Sequence, residues 1–239
     1  MSSDVLRTRA YEVAIMKSVK GKVVMDIGTG GEAVLAILCA ENGASHVFAV
    51  EVNGHAAESA RRRTEHLRSA ITIIEGYSAS VGGENIEKSI DLFVHEIFGE
   101  IASREGIVHT FIDAYRRFFR EPSLSSSISS VVSIPYAART LIVPAQFPPP
   151  EYWSQQAALY IVDPQATLLP LPSKPNGILL SSNWEILENL VFGPSLFETF
   201  GKGEVERKMT FSIESNGTFS GLLAKLQARI FLLIFIFCT

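Results

Sequence analysis

The sequence predicts an α/β fold, with a parallel sheet flanked by helices and a β-rich domain after it. Three observations carry this. Apolar runs near 23–27, 47–51, 71–75 and 92–96 alternate, over the first three, with helical stretches near 32–42 and 55–69. Alternation of that kind builds a parallel sheet with right-handed crossovers. The first run breaks into Gly28-Thr29-Gly30-Gly31, the tight turn that opens a nucleotide-binding unit. Beyond Pro150, short β-rich pieces are separated by Pro164, Pro170, Pro172, Pro175-Asn176-Gly177 and Asn216-Gly217, the punctuation of hairpins. The first two features together define a Rossmann-like sheet.

Asp4 to Ser18 reads as a first helix, with Ser2 or Ser3 as its cap and Asp4 in its first turn. Lys22 to Ile27 is the first strand, and Glu32 to Asn42 (EAVLAILCAEN) is a helix stopped by Gly43. The second strand, Val47 to Val50, ends in Glu51, an acid placed to bind ribose hydroxyls. The bland alternative is a glycine turn used only for tight packing. Arg61-Arg62-Arg63 and Arg68 share the next helix with Glu58 and Glu65, which suits a solvated face better than a partner patch. Between Gly106 and Phe119, Ile107, Val108, Phe111, Ile112, Tyr115, Phe118 and Phe119 form a helical apolar stripe. Glu121 to Ser130 reads as a Ser-rich insertion of low order, and Gln146 to Glu151 (QFPPPE) cannot be regular helix. No internal repeat is found.

The chemistry concentrates after the fourth strand, in His95-Glu96-Ile97-Phe98-Gly99-Glu100-Ile101-Ala102-Ser103-Arg104-Glu105. Open α/β sheets bind ligands at the carboxyl ends of their strands. Glu96 and Glu105 stand at the two ends of that loop with no metal-ligand spacing nearby, which suits a cationic substrate. A forked guanidinium is the cation best matched to fixed carboxylates. Glu105 alone would equally suit a cap on the 106–119 helix, Glu100 reads as solvated, and His95 as a loop or core histidine. The turn is not G-x-G-x-x-G, because Ala33 stands at the third position, and no G-x-x-x-x-G-K-[ST] or G-x-S-x-G occurs.

The Asp26-x-Gly28-x-Gly30 turn resembles that of class I methyltransferases, which bind S-adenosylmethionine. The Glu-x₈-Glu loop is similar to the paired-glutamate loop of protein arginine methyltransferases. Asp4-x-x-Arg7-Thr8-x-x-Tyr11-x-x-Ala14-Ile15 resembles that family's N-terminal helix. Ile134-Pro135-x-x-Ala138-x-x-Leu141-Ile142-x-Pro144-Ala145 resembles its crossing into a β-barrel. The resemblance runs from Asp4 to about Gln227 and is looser after Pro150. It implies S-adenosyl-L-methionine held by Arg7, Asp26, Gly28, Gly30, Glu51, Ser78 and Ala79, with Arg7 on the cofactor carboxylate. It also implies catalysis by Glu96 and Glu105 on an arginine-containing protein, no metal, and a homodimer formed through a barrel arm. The implied domains are 1–135 for the cofactor and 136–227 as a partial β-barrel, with 228–239 as an apolar tail.

Four departures accompany the resemblance. Glu32 stands where the family usually has a third glycine, and 75–80 (EGYSAS) offers only Ser and backbone groups where an acid often contacts adenine. A longer aromatic N-terminal helix has no counterpart here. The family's Thr-His-Trp loop has none either: no His-Trp pair occurs, and Trp184 fits an early barrel strand. The chain is therefore expected to be curtailed in the second half of its barrel.

A net charge of −4 gives no argument for a nucleic-acid partner and no basic stripe supplies one, so none is expected. Cys39 and Cys238 imply no disulfide framework and fit a reducing compartment, so a cytoplasmic protein is expected, with the nucleus as the other site. No signal-peptide pattern opens the sequence. Ile230 to Cys238 is apolar but about half the roughly 18 residues a bilayer span requires. Left exposed, it would be aggregation-prone and solubility poor. Two rival functions remain: another class I methyltransferase with a small-molecule or lysine substrate, and a non-catalytic partner or regulatory subunit.

Overall fold

The structure, a computed structural model, describes residues 5–77, 80–82, 86–99, 101–120, 131–146, 178–200, 206–230 and, as backbone, 233–237. Its first half is a five-stranded parallel sheet in the order β3-β2-β1-β4-β5. The strands are β1 (Val23–Ile27), β2 (His46–Glu51), β3 (Ile71–Glu75), β4 (Leu92–His95) and β5 (Ser133–Ile134). Around them stand α1 (Val5–Ser18), α2 (Val34–Glu41), α3 (Gly54–Arg63) and α4 (Ile107–Phe118). All four residues of β4 are buried, as befits a strand covered on both faces.

Alternation along each strand sorts two cores. Val24, Leu92, Val94 and Ile134 pack with Tyr11 and Ile15 of α1 and with Leu35 and Cys39 of α2. Met25, Ile27 and Phe93 face the other way, onto Phe111, Ala114 and Phe118 of α4. Helix α4 presents the apolar stripe its sequence predicts, and α1 buries Ala10, Tyr11, Ala14 and Ile15.

The second half is antiparallel. Central β6 (Ala137–Gln146) pairs with β9 (Gly221–Ile230) on one side. On the other it pairs with β8 (Glu185–Val191) and, at its end, with β7 (Ile178–Leu179). A short helix, α5 (Pro194–Phe200), follows β8, and β10 (Leu233–Phe237) pairs with β9. The two halves share their cores. Ala228 and Ile230 of β9 join the α1 side, while Ala138, Leu190, Phe192 and Leu196 join the α4 side.

Several expectations shift. Helix α2 starts at Val34 rather than Glu32, because Ala33 adopts the left-handed conformation (φ 48°) and its N–H closes the turn onto Gly30 O. The 55–69 helix ends at Arg63, where the Thr64 hydroxyl donates back to Ala60 O at 2.8 Å, and a 3₁₀ turn follows at Glu65–Leu67. The boundary drawn at 227/228 falls inside β9, which runs to Ile230. Residues 233–237 of the expected tail are a paired strand. Strand β5 and helix α5 had no counterpart in the sequence reading. The segments 121–130 and 147–177, including the three prolines and the Ser-rich stretch, lie outside the described residues, as do Asp4 and its caps. No helix among the described residues is long and apolar enough to cross a membrane.

Candidate active site

The sheet order reverses between β1 and β4. A crevice therefore opens where their carboxyl ends diverge, the place where such folds hold ligands. The turn after β1 forms its floor. Gly28 (φ +75°) and Thr29 donate their amides to Val50 O at 2.9 and 3.1 Å. A Cβ on Gly28 would lie 3.0 Å from Ile97 Cγ1, so the turn passes the loop beyond β4 at a distance only glycine allows. Gly30 (φ +67°) faces open space: nothing stands within 4 Å of where its Cβ would be.

Two acids fasten this turn from below. Glu51 accepts the Gly30 amide at 2.9 Å through one oxygen and the Asn53 amide at 2.8 Å through the other. Asp26 is fully buried. Its Oδ2 accepts the Thr29 hydroxyl at 2.6 Å, and its Oδ1 has no hydrogen-bond partner. Burial pushes the Asp26 carboxyl up to about 7, against the Thr29 hydroxyl and the Ala36 amide, and the Glu51 charge adds to the rise.

Above the turn is a cleft of about 250 Å³ bounded by Gly28 to Glu32, Val34, Leu35 and Glu96. Glu96 follows β4, and the Arg7 guanidinium reaches it from α1, Nη1 to Oε1 2.6 Å, with each side chain 22% exposed. Burial raises the Glu96 carboxyl above its usual range and the Glu105 charge adds to this, while Arg7 opposes both. The Tyr11 hydroxyl donates to His95 O at 2.9 Å, fixing α1 to the end of β4. His95 itself is fully buried, its ring edge-on to Phe192 at 4.5 Å and to Phe98 at 5.4 Å. Burial lowers it to about 3, so it is a neutral core histidine.

Gly28, Gly30 and Glu96 thus line one cleft, Arg7 adjoins it through Glu96, Glu51 holds the Gly30 amide, and Asp26 is buried against Thr29. Glu105 is exposed, close enough to Glu96 for its charge to be felt. It does not cap α4: Gly106 (φ +80°) holds that position, with no side-chain cap hydrogen bond. Ser78, Ala79 and Glu100 lie outside the described residues. Arginines 61, 62, 63 and 68 pair with Glu75, Glu58, Glu32 and Glu65 on the surface, an ordinary solvated face. Trp184 precedes β8, with Lys225 Nζ 3.9 Å from its ring centre. Among the described residues no group of three or more His, Cys, Asp or Glu could hold a metal ion.

Sequence reading missed Thr140 and Glu188. The Ala102 amide donates to Thr140 Oγ1 at 2.9 Å, and the Ser103 amide to Glu188 Oε1 at 2.9 Å. The Thr140 hydroxyl donates to the same Glu188 oxygen at 2.8 Å. One signal was available: Glu188 shares the inward parity of Leu190 in β8, where a carboxylate is unexpected.

No family model matches the chain. Protein arginine N-methyltransferase 6 of Danio rerio is 28% identical over 128 residues, 52% of this chain and 36% of that protein. Probable histone-arginine methyltransferase CARM1 of Oryza sativa subsp. indica is 32% identical over 124 residues, 49% of this chain and 22% of that protein. The match spans about a third or less of these relatives' length. Among solved structures, Arabidopsis thaliana protein arginine methyltransferase 10 superposes with a TM-score of 0.72 at 19% identity, covering 99% of this chain and 75% of that one. The Trypanosoma brucei PRMT1 enzyme–prozyme complex with AdoHcy gives 0.69 at 18%, covering 99% and 74%. These two likenesses establish the fold.

Proposed function

We propose that this chain, a homologue of the protein arginine methyltransferases, binds S-adenosyl-L-methionine in the cleft above Gly28–Glu32 and methylates arginine in a protein substrate. The observation that carries the proposal is the Arg7–Glu96 pair: a guanidinium already sits on Glu96 at the mouth of the cleft, at 2.6 Å. The donor set fits the cofactor. Arg7 is a cation for its carboxylate, Glu51 stands at the end of β2 where ribose hydroxyls would fall, and Gly30 leaves open space beside the turn. When bound, the cofactor supplies a methyl on a positively charged sulfur.

The residues of this chain then have a narrow task. A guanidinium nucleophile is weak because its charge is delocalised over three nitrogens. Glu96 and Glu105 hold its N–H groups and draw positive charge away from the target nitrogen, and fixed carboxylates need no reorganisation as the reaction proceeds. Arg7, tied to Glu96, orients that carboxylate, and Tyr11 holds α1 to the end of β4 through His95 O. A homodimer and a cytoplasmic or nuclear setting belong to the same proposal. Buried, unpaired Cys39 suits a reducing compartment.

Calorimetry with S-adenosylhomocysteine tests the cofactor site. Wild type is expected to bind and Glu51→Ala to bind more weakly. Glu96→Gln is expected to keep that affinity within about three-fold while losing turnover on an arginine-rich peptide by roughly 100-fold or more. Binding without turnover in the wild type would favour a non-catalytic partner subunit. No binding by the folded chain would overturn the reading.

A further inference from the structure

We infer that Thr140 and Glu188, from the second sheet, are positioning residues that set the loop carrying Glu105 against Glu96. This rests on the methyltransferase reading above, and it assigns a role to residues outside the cleft lining. The loop from Glu96 to Glu105 has its two candidate catalytic acids at its ends, and Ala102 and Ser103 lie away from the parallel sheet. Beyond two local turns, in which the Arg104 amide donates to Ile101 O and the Gly106 amide to Ser103 O, the loop is held from the second sheet. The Ala102 and Ser103 amides, adjacent in the chain, donate to a hydroxyl on β6 and a carboxylate on β8. Those two acceptors are themselves joined, Thr140 Oγ1 to Glu188 Oε1. Thr140 is fully buried and Glu188 is 8% exposed, so water does not compete freely for either.

The geometry specifies position rather than mere adhesion. Glu188 Oε1 accepts two hydrogen bonds, and Thr140 Oγ1 accepts one while donating another, so each atom's direction is fixed by its partners. Glu105 lies two residues beyond Ser103. Release of the two amides lets this end of the loop drift while Glu96, tied to Arg7 and the end of β4, stays in place. The separation of the two carboxylates is therefore set by the packing of β6 and β8. Substrate held by a misaligned pair is bound but poorly presented, which lowers turnover more than affinity.

The test uses the full chain and three variants. Thr140→Val keeps shape and removes the hydroxyl, Thr140→Ser restores it, and Glu188→Leu removes the shared acceptor. Thr140→Val is expected to lower kcat on an arginine-rich peptide by roughly 10- to 100-fold, with KM and S-adenosylhomocysteine affinity changed less than about three-fold. Thr140→Ser is expected to recover most of the kcat. Independently of turnover, amide hydrogen exchange should show Ala102 and Ser103 protected in the wild type. That protection should be lost in Thr140→Val and Glu188→Leu, with β1 and β4 unchanged. If kcat survives in Thr140→Val, or Ser fails to rescue, or protection at Ala102 and Ser103 is unaltered, the inference is wrong. If the wild type binds S-adenosylhomocysteine but never turns over, the methyltransferase reading fails instead, and the exchange data alone decide whether the clasp exists.

Discussion

Asp26 and His95 are buried titratable side chains whose folded-state values fall at about 7 and about 3, and they work in opposite directions. Asp26 keeps its proton in the folded chain up to about 7, against an unfolded value of 3.8. The native state therefore binds the extra proton between those limits, and stability is lost as pH rises from about 4 toward 7. His95, at about 3 against 6.5, costs stability as pH falls below its unfolded value. Replacing Asp26 by Asn removes the first effect and leaves the second. Urea unfolding at acid and neutral pH should show the Asn variant gaining on wild type by up to roughly 4 kcal/mol as pH rises from 4 to 7. A pH-independent difference between the two proteins would refute the assignment. At this scale the sequence was informative wherever the signal was local. The Gly28–Gly30 turn, Glu51 and the Glu96/Glu105 spacing could all be read along the chain. That Asp26 lies under the turn, bonded to Thr29 rather than facing the cleft, depends on the depth of the sheet and could not.

The turn from β1 to α2 and the loop after β4 behave as a single element of the site, because they touch at Gly28 and Ile97. Gly28→Ala adds two penalties: the left-handed backbone, about 1–2 kcal/mol, and contact with Ile97 Cγ1 at 3.0 Å. Adding Ile97→Ala, which removes both Cγ1 and Cδ1, relieves only the second. In a double-mutant cycle read by thermal unfolding, Gly28→Ala should therefore cost less in the Ile97→Ala background than in wild type. An equal cost in the two backgrounds would mean the two segments are not in contact in solution. The element boundaries that sequence misjudged have local physical causes invisible to periodicity. Ala33 takes a conformation usual for glycine, and Thr64 diverts its hydroxyl to the helix backbone. Strand β5 is only two residues long, shorter than any periodic signal, and is defined by its register with Phe93 and Val94.

At the scale of the molecule, the end of the described chain supports its beginning. Apolar residues from Ile230 onward read from sequence as a tail without a polar face. The register of β9 instead follows β6 from Ala145↔Gly221 to Ala137↔Arg229. Such a pairing joins segments too far apart in sequence for any window to detect. It carries Ala228 and Ile230 into the core beside Ala10, Tyr11 and Ala14 of α1. Because α1 also supplies Arg7 and Tyr11 to the site, the two sheets should unfold together. Ile230→Ala removes a fully buried side chain and is expected to cost about 2–5 kcal/mol. Both tryptophans, Trp153 and Trp184, lie in the second half of the sequence, whereas four of the five α-helices described lie in the first. Fluorescence therefore reports mainly on one half and far-ultraviolet dichroism largely on the other. In urea the two signals should move to lower denaturant by the same amount in the Ile230→Ala variant, and S-adenosylhomocysteine binding should be lost at that same midpoint. A shift confined to fluorescence would show that the second sheet melts alone and leaves the α1 cleft standing.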